Sequence, residues 1–499
     1  MLFNSLEFFI FFPLATGLYF LFPHKRRWIM LLAASCVFYA FFSIKYLFLL
    51  VFLALISYFC AIFINKYESK KRIFFIACIF VNCAALFLFK YFNFFNENIG
   101  HIAKFIHWNY SYQALRIIFP IGMSFYVFQI LGYVIDVYTG SQKAEKHLGI
   151  YFLFILFYPK LLAGPIEKSY NFIPQFYEKH VFDYQQAADG LKLMAWGLFQ
   201  KIVIADRLSL FVTPVFSSPK SYPCISLAVA TVFFAFQIYC DFAGYSDIAR
   251  GSAQAMGFRL INNFNRPYFS KSIYEFWRRW HISLSTWLRD YIYMPLAVYK
   301  RDWGVAGIFC ALMATFIICG LWHGASWTFV VWGFLNGVYI AFGILTKNIR
   351  EKFNRFTGLN KLPFLHKIIQ VCVTFLLVCI GWIFFKANSI GDAFYILRNL
   401  LPGIFAYYKE VVSVFMRGAG FNEVSAPLTL FRSPSDFLIA VVFVGMLVSV
   451  HLIQRKASVR CILYSKPLLM RWCVYYLFIM SIILFTTFGD QAPFVYFKF

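Results

Sequence analysis

Two histidines of this 499-residue chain stand on ground where an ionisable side chain is costly. His323 lies between Gly320 and Gly324 in a stretch, Trp303 to Thr346, that contains no Asp, Glu, Lys or Arg. An imidazole there is either a packed side chain on a Gly-x-x-x-Gly helix contact or a functional base, because histidine is best poised to take a proton near neutral pH. His281 lies in Glu275-Phe-Trp-Arg-Arg-Trp-His-Ile-Ser-Leu-Ser-Thr-Trp-Leu-Arg-Asp290. At about 100° per residue this reads as one amphipathic helix. Trp277, Trp280, His281, Leu284, Trp287, Leu288 and Tyr291 share one face; Arg278, Arg279, Ser283, Ser285, Thr286, Arg289 and Asp290 share the other. Two readings stay open for it. It is an interfacial helix anchored by tryptophan and arginine, or its arginines attract a phosphorylated cofactor.

Other chemistry-bearing residues are weaker signals. Asp241 and Asp247, in Tyr239-Cys-Asp-Phe-Ala-Gly-Tyr-Ser-Asp-Ile-Ala-Arg250, suit an ion or proton site in a transporter, or are capped and paired at a helix break with Arg250 at hand. The 12 cysteines form no C-x-x-C pair and no zinc-spaced cluster; most lie in apolar runs, where a thiol acts as a small hydrophobe. No metal site is expected. No Gly-x-Ser-x-Gly, Walker or Gly-x-Gly-x-x-Gly pattern supports a serine hydrolase, an ATPase or a dinucleotide enzyme.

What must hold these residues is a membrane protein. Hydrophobic residues make up 61% of the chain and charged residues 13%, about half the usual globular share. That excludes disorder, a coiled coil and a secreted disulfide scaffold. Apolar runs of spanning length lie near 6–22, 28–44, 46–64, 73–92, 117–138, 224–243, 303–321, 325–346, 367–388, 436–453 and 471–488, with weaker segments at 148–162 and 190–213. The expectation is an all-α polytopic protein of about 11–13 helices, some re-entrant. The first run, Met1 to Phe22, lacks a basic n-region and reads as a retained helix. The stretch Trp303 to Thr346 would be about 66 Å long as one helix, twice the hydrocarbon thickness. It must fold back near Gly320 and Gly324.

The net charge of +25 marks cytoplasmic loops and attraction to anionic lipid or cofactor before it marks nucleic acid, which is not an expected partner. Basic clusters at Lys25–Arg27, Lys70–Arg72, Lys143 with Lys146, Lys347–Lys367 and Arg455–Arg471 fall on one face, read as the cytoplasm, with both termini and 389–435 outside. Segment 257–302 is basic enough to be cytoplasmic, yet simple alternation puts it outside. One segment between 148 and 256 therefore re-enters without crossing. The chain is read as one domain, with N-terminal helices over 1–145, a catalytic core over 146–346 and C-terminal helices over 347–499.

Along nearly its whole length the sequence resembles the membrane-bound O-acyltransferase family, in its alginate O-acetyltransferase branch. The resemblance runs through Met1-Leu-Phe-Asn-Ser-Leu-Glu-Phe-Phe-Ile-Phe-Phe-Pro13, Pro120-Ile-Gly-Met-Ser-Phe-Tyr126 to Asp136-Val-Tyr138, Ala163-Gly-Pro-Ile-Glu167, Lys201-Ile-Val-Ile-Ala-Asp206 and Asp241-Phe-Ala-Gly-Tyr-Ser-Asp247. Its most specific parts are Asn263-Phe-Asn-Arg-Pro-Tyr268, Glu275–Asp290 and Gly320-Leu-Trp-His-Gly-Ala325, with Phe494-Val-Tyr-Phe-Lys-Phe499 at the end. Lys498 departs from the glutamine expected there.

The resemblance implies helices ringed around a tunnel or funnel, and acyl transfer from a cytosolic donor across a bacterial cytoplasmic (inner) membrane. His323 matches the family's catalytic histidine and His281 its second. Acetyl-CoA, a substrate and not a bound cofactor, is expected to dock at Arg278, Arg279, Arg289 and Trp280. His323 would act as general base. His281 would orient the donor, relay the proton or stabilise the oxyanion, with Trp322, Asp241 and Asp290 in support. An acetyl-histidine intermediate is the alternative. The acceptor would be an alginate-like exopolysaccharide or peptidoglycan, or a periplasmic SGNH-type acetyltransferase partner. Rival readings are D-alanyl transfer to teichoic acid, and a transporter without chemistry that uses Asp241 and Asp247.

Overall fold

The computed structural model describes residues 1–111, 114–115, 117–417, 422–486 and 494–495. Lys498 and Phe499 lie outside the described residues. Among the described residues every regular element is helical, as the run lengths require: in lipid a lone segment must satisfy its own backbone, and only a helix does so. Eight helices among the described residues are long and apolar enough to cross a membrane: Ile44–Lys66, Glu68–Phe105, Cys224–Ala255, Val305–His323, Trp327–Leu345, Pro363–Lys386, Pro434–Ile453 and Leu468–Phe485. The chain is an all-α, multi-pass membrane protein.

The remaining apolar runs give shorter helices for local reasons. Run 117–138 starts its helix only at Met123, because Pro120 and a left-handed Gly122 precede it. Run 28–44 ends at Ala40, and Ser43 then caps the next helix by accepting from the Tyr46 amide. The weak segment 148–162 gives Leu148–Leu156, nine residues or about 14 Å, ended just ahead of Pro159. Residues 150–167 are all buried, the setting in which a segment can enter a membrane protein without crossing it. Segment 190–213 becomes Tyr184–Leu198, a π-helical stretch Phe199–Ala205, and Asp206–Ser217. In 389–435 the described residues form helices Ile390–Met416 and Asn422–Leu428.

The 32-residue helix Cys224–Ala255 is the central post. It lies against Tyr184–Leu198 with no room for side chains between the backbones. A Cβ on Gly251 would sit 2.4 Å from the Gly190 carbonyl oxygen, and one on Gly244 would sit 2.6 Å from that of Gly197. Small residues let membrane helices approach this closely, and the gain is close packing and not exclusion of water.

Candidate active site

The chargeless stretch folds back as its length demands. Helix Val305–His323 ends on His323, Gly324 continues extended, and Ser326 caps the second helix, Trp327–Leu345. The two helices touch through glycine: a Cβ on Gly320 would lie 2.2 Å from the Phe329 carbonyl oxygen, and one on Gly333 2.2 Å from that of Phe316. Gly324 faces the Phe329 ring, 2.2 Å from where its Cβ would be. The hairpin thus fixes His323 at the tip of its first helix, with 2% of its surface exposed.

Around that imidazole stand the rings of Trp322 at 4.9 Å, Trp332 at 4.9 Å and Phe385 at 5.2 Å. Trp332 stacks in turn on Trp382, and Trp382 meets Trp280 at 5.0 Å. His281, fully buried, also approaches Trp322, at 6.1 Å between ring centroids, with Phe242 at 4.6 Å. Two histidines 42 residues apart therefore share one tryptophan inside an aromatic wall. Burial pushes the His281 imidazole down to about 3, so it is neutral at neutral pH.

The helix read over Glu275–Asp290 is not continuous. It is broken into Ile273–Trp277 and Ile282–Leu288, with His281 between them in the left-handed region at φ 42°. The break comes from a remote loop. The Ile282 amide donates to the Asn263 carbonyl oxygen at 2.9 Å, and the Ser283 amide to Asn263 Oδ1 at 3.1 Å. Asn263 so supplies acceptors that the preceding turn would otherwise provide. Ser283, placed by periodicity on the polar face, is buried and accepts from the Ile166 amide at 3.0 Å.

Trp280 joins the aromatic wall, but the three arginines do not. Arg278 is exposed over the Tyr274 ring. Arg279 pairs with Glu275 at 2.6 Å and Arg289 with Asp290 at 2.7 Å. Burial pushes the Asp290 carboxyl up, but hydrogen bonds from Arg289 and Lys168 hold it below its ordinary value. Asp241 and Asp247 sit on an unbroken helix. Asp241 pairs with Lys201 at 2.7 Å and accepts from the Val495 amide at 2.7 Å; Asp247 pairs with Arg250 at 2.9 Å.

One residue at the site escaped the sequence reading. Lys90 belongs to a π-helical stretch, Phe87–Tyr91, inside the long helix Glu68–Phe105. Its Nζ donates to the carbonyl oxygen of Trp322 at 2.6 Å, to that of His323 at 3.3 Å and to Ser124 Oγ at 3.3 Å. Tyr91 donates to the Leu321 carbonyl oxygen at 2.9 Å. The last carbonyls of a helix lack internal partners and carry its negative dipole end, so a cation there is favoured twice over. The available signal was that Lys90 is the one charged residue in run 73–92.

Comparison with known proteins gives the family of the chain. Residues 146–385 match the membrane-bound O-acyltransferase family, a span that contains both histidines. The chain is 36% identical over 401 residues to a probable alginate O-acetylase AlgI of Azotobacter vinelandii, covering 79% of this chain and 76% of that protein. It is 31% identical over 519 residues to a peptidoglycan O-acetyltransferase of Helicobacter pylori, covering 96% and 92%. A teichoic acid D-alanyltransferase of Bacillus subtilis is 26% identical over 279 residues, covering 54% of this chain and 69% of the relative. With a family match across the histidine hairpin and relatives aligned over most of its length, the chain belongs to the membrane-bound O-acyltransferase family.

Proposed function

We propose that this enzyme moves an acetyl group from cytosolic acetyl-CoA to a hydroxyl of a cell-envelope polysaccharide, or to a periplasmic SGNH-type partner that passes it on, across the bacterial inner membrane. The observation that carries the reading is the pair of buried histidines that both approach Trp322, one of them at a helix tip whose last carbonyl oxygens accept from Lys90. The acetyl transferases named above cover more of the chain, at higher identity, than the D-alanyl transferase does.

In this mechanism a ring nitrogen of His323 takes the proton of the acceptor hydroxyl as its oxygen attacks the thioester carbonyl. The tetrahedral intermediate collapses, the C–S bond breaks, and the thiolate leaves with the proton that His323 holds. His281, kept neutral by burial, is suited to orient the donor or to donate a hydrogen bond to the developing oxyanion. Trp280 and Trp322 wall the site. Arg278, Arg279 and Arg289 form the outer basic face that draws the anionic donor, with Asp290 ordering Arg289. Asp241 braces the turn that places Phe242 against His281.

Purified protein given radiolabelled acetyl-CoA and envelope oligosaccharide is expected to release free CoA in step with labelled ester. Turnover with only a D-alanyl carrier protein as donor would replace this reading with D-alanyl transfer.

The positive-inside rule puts the helix Lys347–Phe356 in the cytoplasm and Ser435 outside. In a cysteine-free background, Arg355→Cys should react with an impermeant maleimide only after cells are opened, and Ser435→Cys in intact cells. Labelling of Arg355→Cys in sealed cells would reverse the orientation.

A further inference from the structure

The loop Asn263–Tyr268 does more than hold the amides after His281 through Asn263. The loop borders a cavity of about 370 Å³ against one side of the central helix. Tyr239, Asp247 and Arg250 enter it from that helix, Asn262, Phe264 and Arg266 from the loop, and Gln454 and Ser458 from beside the basic cluster that begins at Arg455.

Two guanidinium groups face this space against one carboxylate. Arg250 donates from Nη1 to Asp247 at 2.9 Å and to Asn262 Oδ1 at 3.2 Å. Arg266 makes no ion pair among the described residues. Its Nε and Nη2 donate to the neutral Asn265 amide oxygen at 3.2 and 3.0 Å, and its buried Nη1 has no hydrogen-bond partner. Its backbone is left-handed, at φ 48°, immediately ahead of Pro267. A long side chain rarely adopts that conformation, and a following proline restricts it further. Such strain persists where the surroundings impose it, and it clusters at functional sites.

The same loop is tied to the reacting centre. The Asn265 amide donates to the Arg279 carbonyl oxygen at 2.9 Å, while Asn263 holds the amides just after His281. Phe264, a wall of the cavity, lies 5.1 Å from both Trp280 and Phe242, and Phe242 is the ring against His281. Two aromatic rings in series, Phe264 and then Phe242, lead from the cavity wall to that histidine.

We propose that this cavity holds the phosphate groups of the phosphorylated thioester donor, with Arg266 and Arg250 as the anion ligands, so that the arm of the donor enters past the Phe264 wall toward His281. The exposed arginines Arg278 and Arg289 then draw the donor in, and Arg266 anchors it. The inference rests on the donor reading above, and the test separates the two. The probe is adenosine 3′,5′-bisphosphate, the phosphorylated half of CoA, bound to the full chain in phosphatidylcholine nanodiscs. Arg266→Asn is the informative variant, because asparagine tolerates the left-handed backbone while losing the charge.

The expected result is binding weakened about 10-fold or more in Arg266→Asn, partly restored in Arg266→Lys, with acetyl-CoA KM raised in parallel and kcat little changed. Bisphosphate binding within twofold of the parent in Arg266→Asn overturns the proposal and leaves the donor reading intact if the parent still releases CoA. A parent that binds bisphosphate through Arg266 but releases no CoA upholds the cavity as a nucleotide-phosphate site while the acetyl-CoA reading fails. If phosphatidylglycerol added to the discs displaces the bisphosphate from the parent, the site belongs to a lipid headgroup and the proposal falls.

Discussion

His323→Gln and His323→Ala are expected to express as folded, monodisperse protein and to lose about 10²-fold or more of turnover, the scale for removing a general base. Glutamine keeps a hydrogen-bonding side chain within the cage of Trp322, Trp332 and Phe385. It satisfies whatever a packed histidine satisfies there, and the hairpin's own glycine contacts do not involve the imidazole. An amide does not take up a proton at working pH, so the alkoxide no longer forms. Donor binding should survive in part, because His323 is assigned to the proton and not to holding CoA. Comparison of kcat with donor affinity across the two variants makes the distinction.

Lys90→Met is expected to fold and to lose about 10-fold in kcat with donor KM little changed. Methionine keeps length and apolar bulk but removes the donor shared by the Trp322 and His323 carbonyls. A charge-assisted hydrogen bond contributes about 1.5–3 kcal/mol, and a tenfold rate loss corresponds to about 1.4 kcal/mol. A helix tip freed to that extent need shift His323 only slightly to lose alignment. Thermal unfolding read beside turnover decides the role. A lower melting temperature with unchanged kcat would make Lys90 a brace for the hairpin alone.

The hairpin was legible in the sequence because its evidence is local. A chargeless stretch twice the bilayer thickness has to turn, and Gly320 and Gly324 mark the place where the structure packs it against Phe329. His323 stands out in the same stretch as its lone histidine, whereas His281 stands out only as the one polar residue on an otherwise apolar helix face in a charged segment. The failures share the opposite cause. Glu275–Asp290 has helical periodicity throughout, and what breaks it at His281 is Asn263, some 18 residues upstream, so no pattern within the segment reveals the break. Lys90 has its two carbonyl partners 232 and 233 residues away. Charge alone marks the arginines of the basic face in the sequence. That Arg279 and Arg289 are already paired, while Arg266 is turned into a cavity by a strained backbone, depends on the folded loop. Run 148–162 was ambiguous because buried and lipid-facing helices are equally apolar, and only its envelopment by protein over 150–167 separates them.

The most direct test of acyl transfer with His323 as the base is a rapid-quench single turnover, with the parent and His323→Gln each saturated with radiolabelled acetyl-CoA and then mixed with acceptor. Equal label bound at time zero and a transfer step slowed about 10²-fold or more in the variant are expected. Transfer by His323→Gln within a few-fold of the parent would contradict His323 as the base.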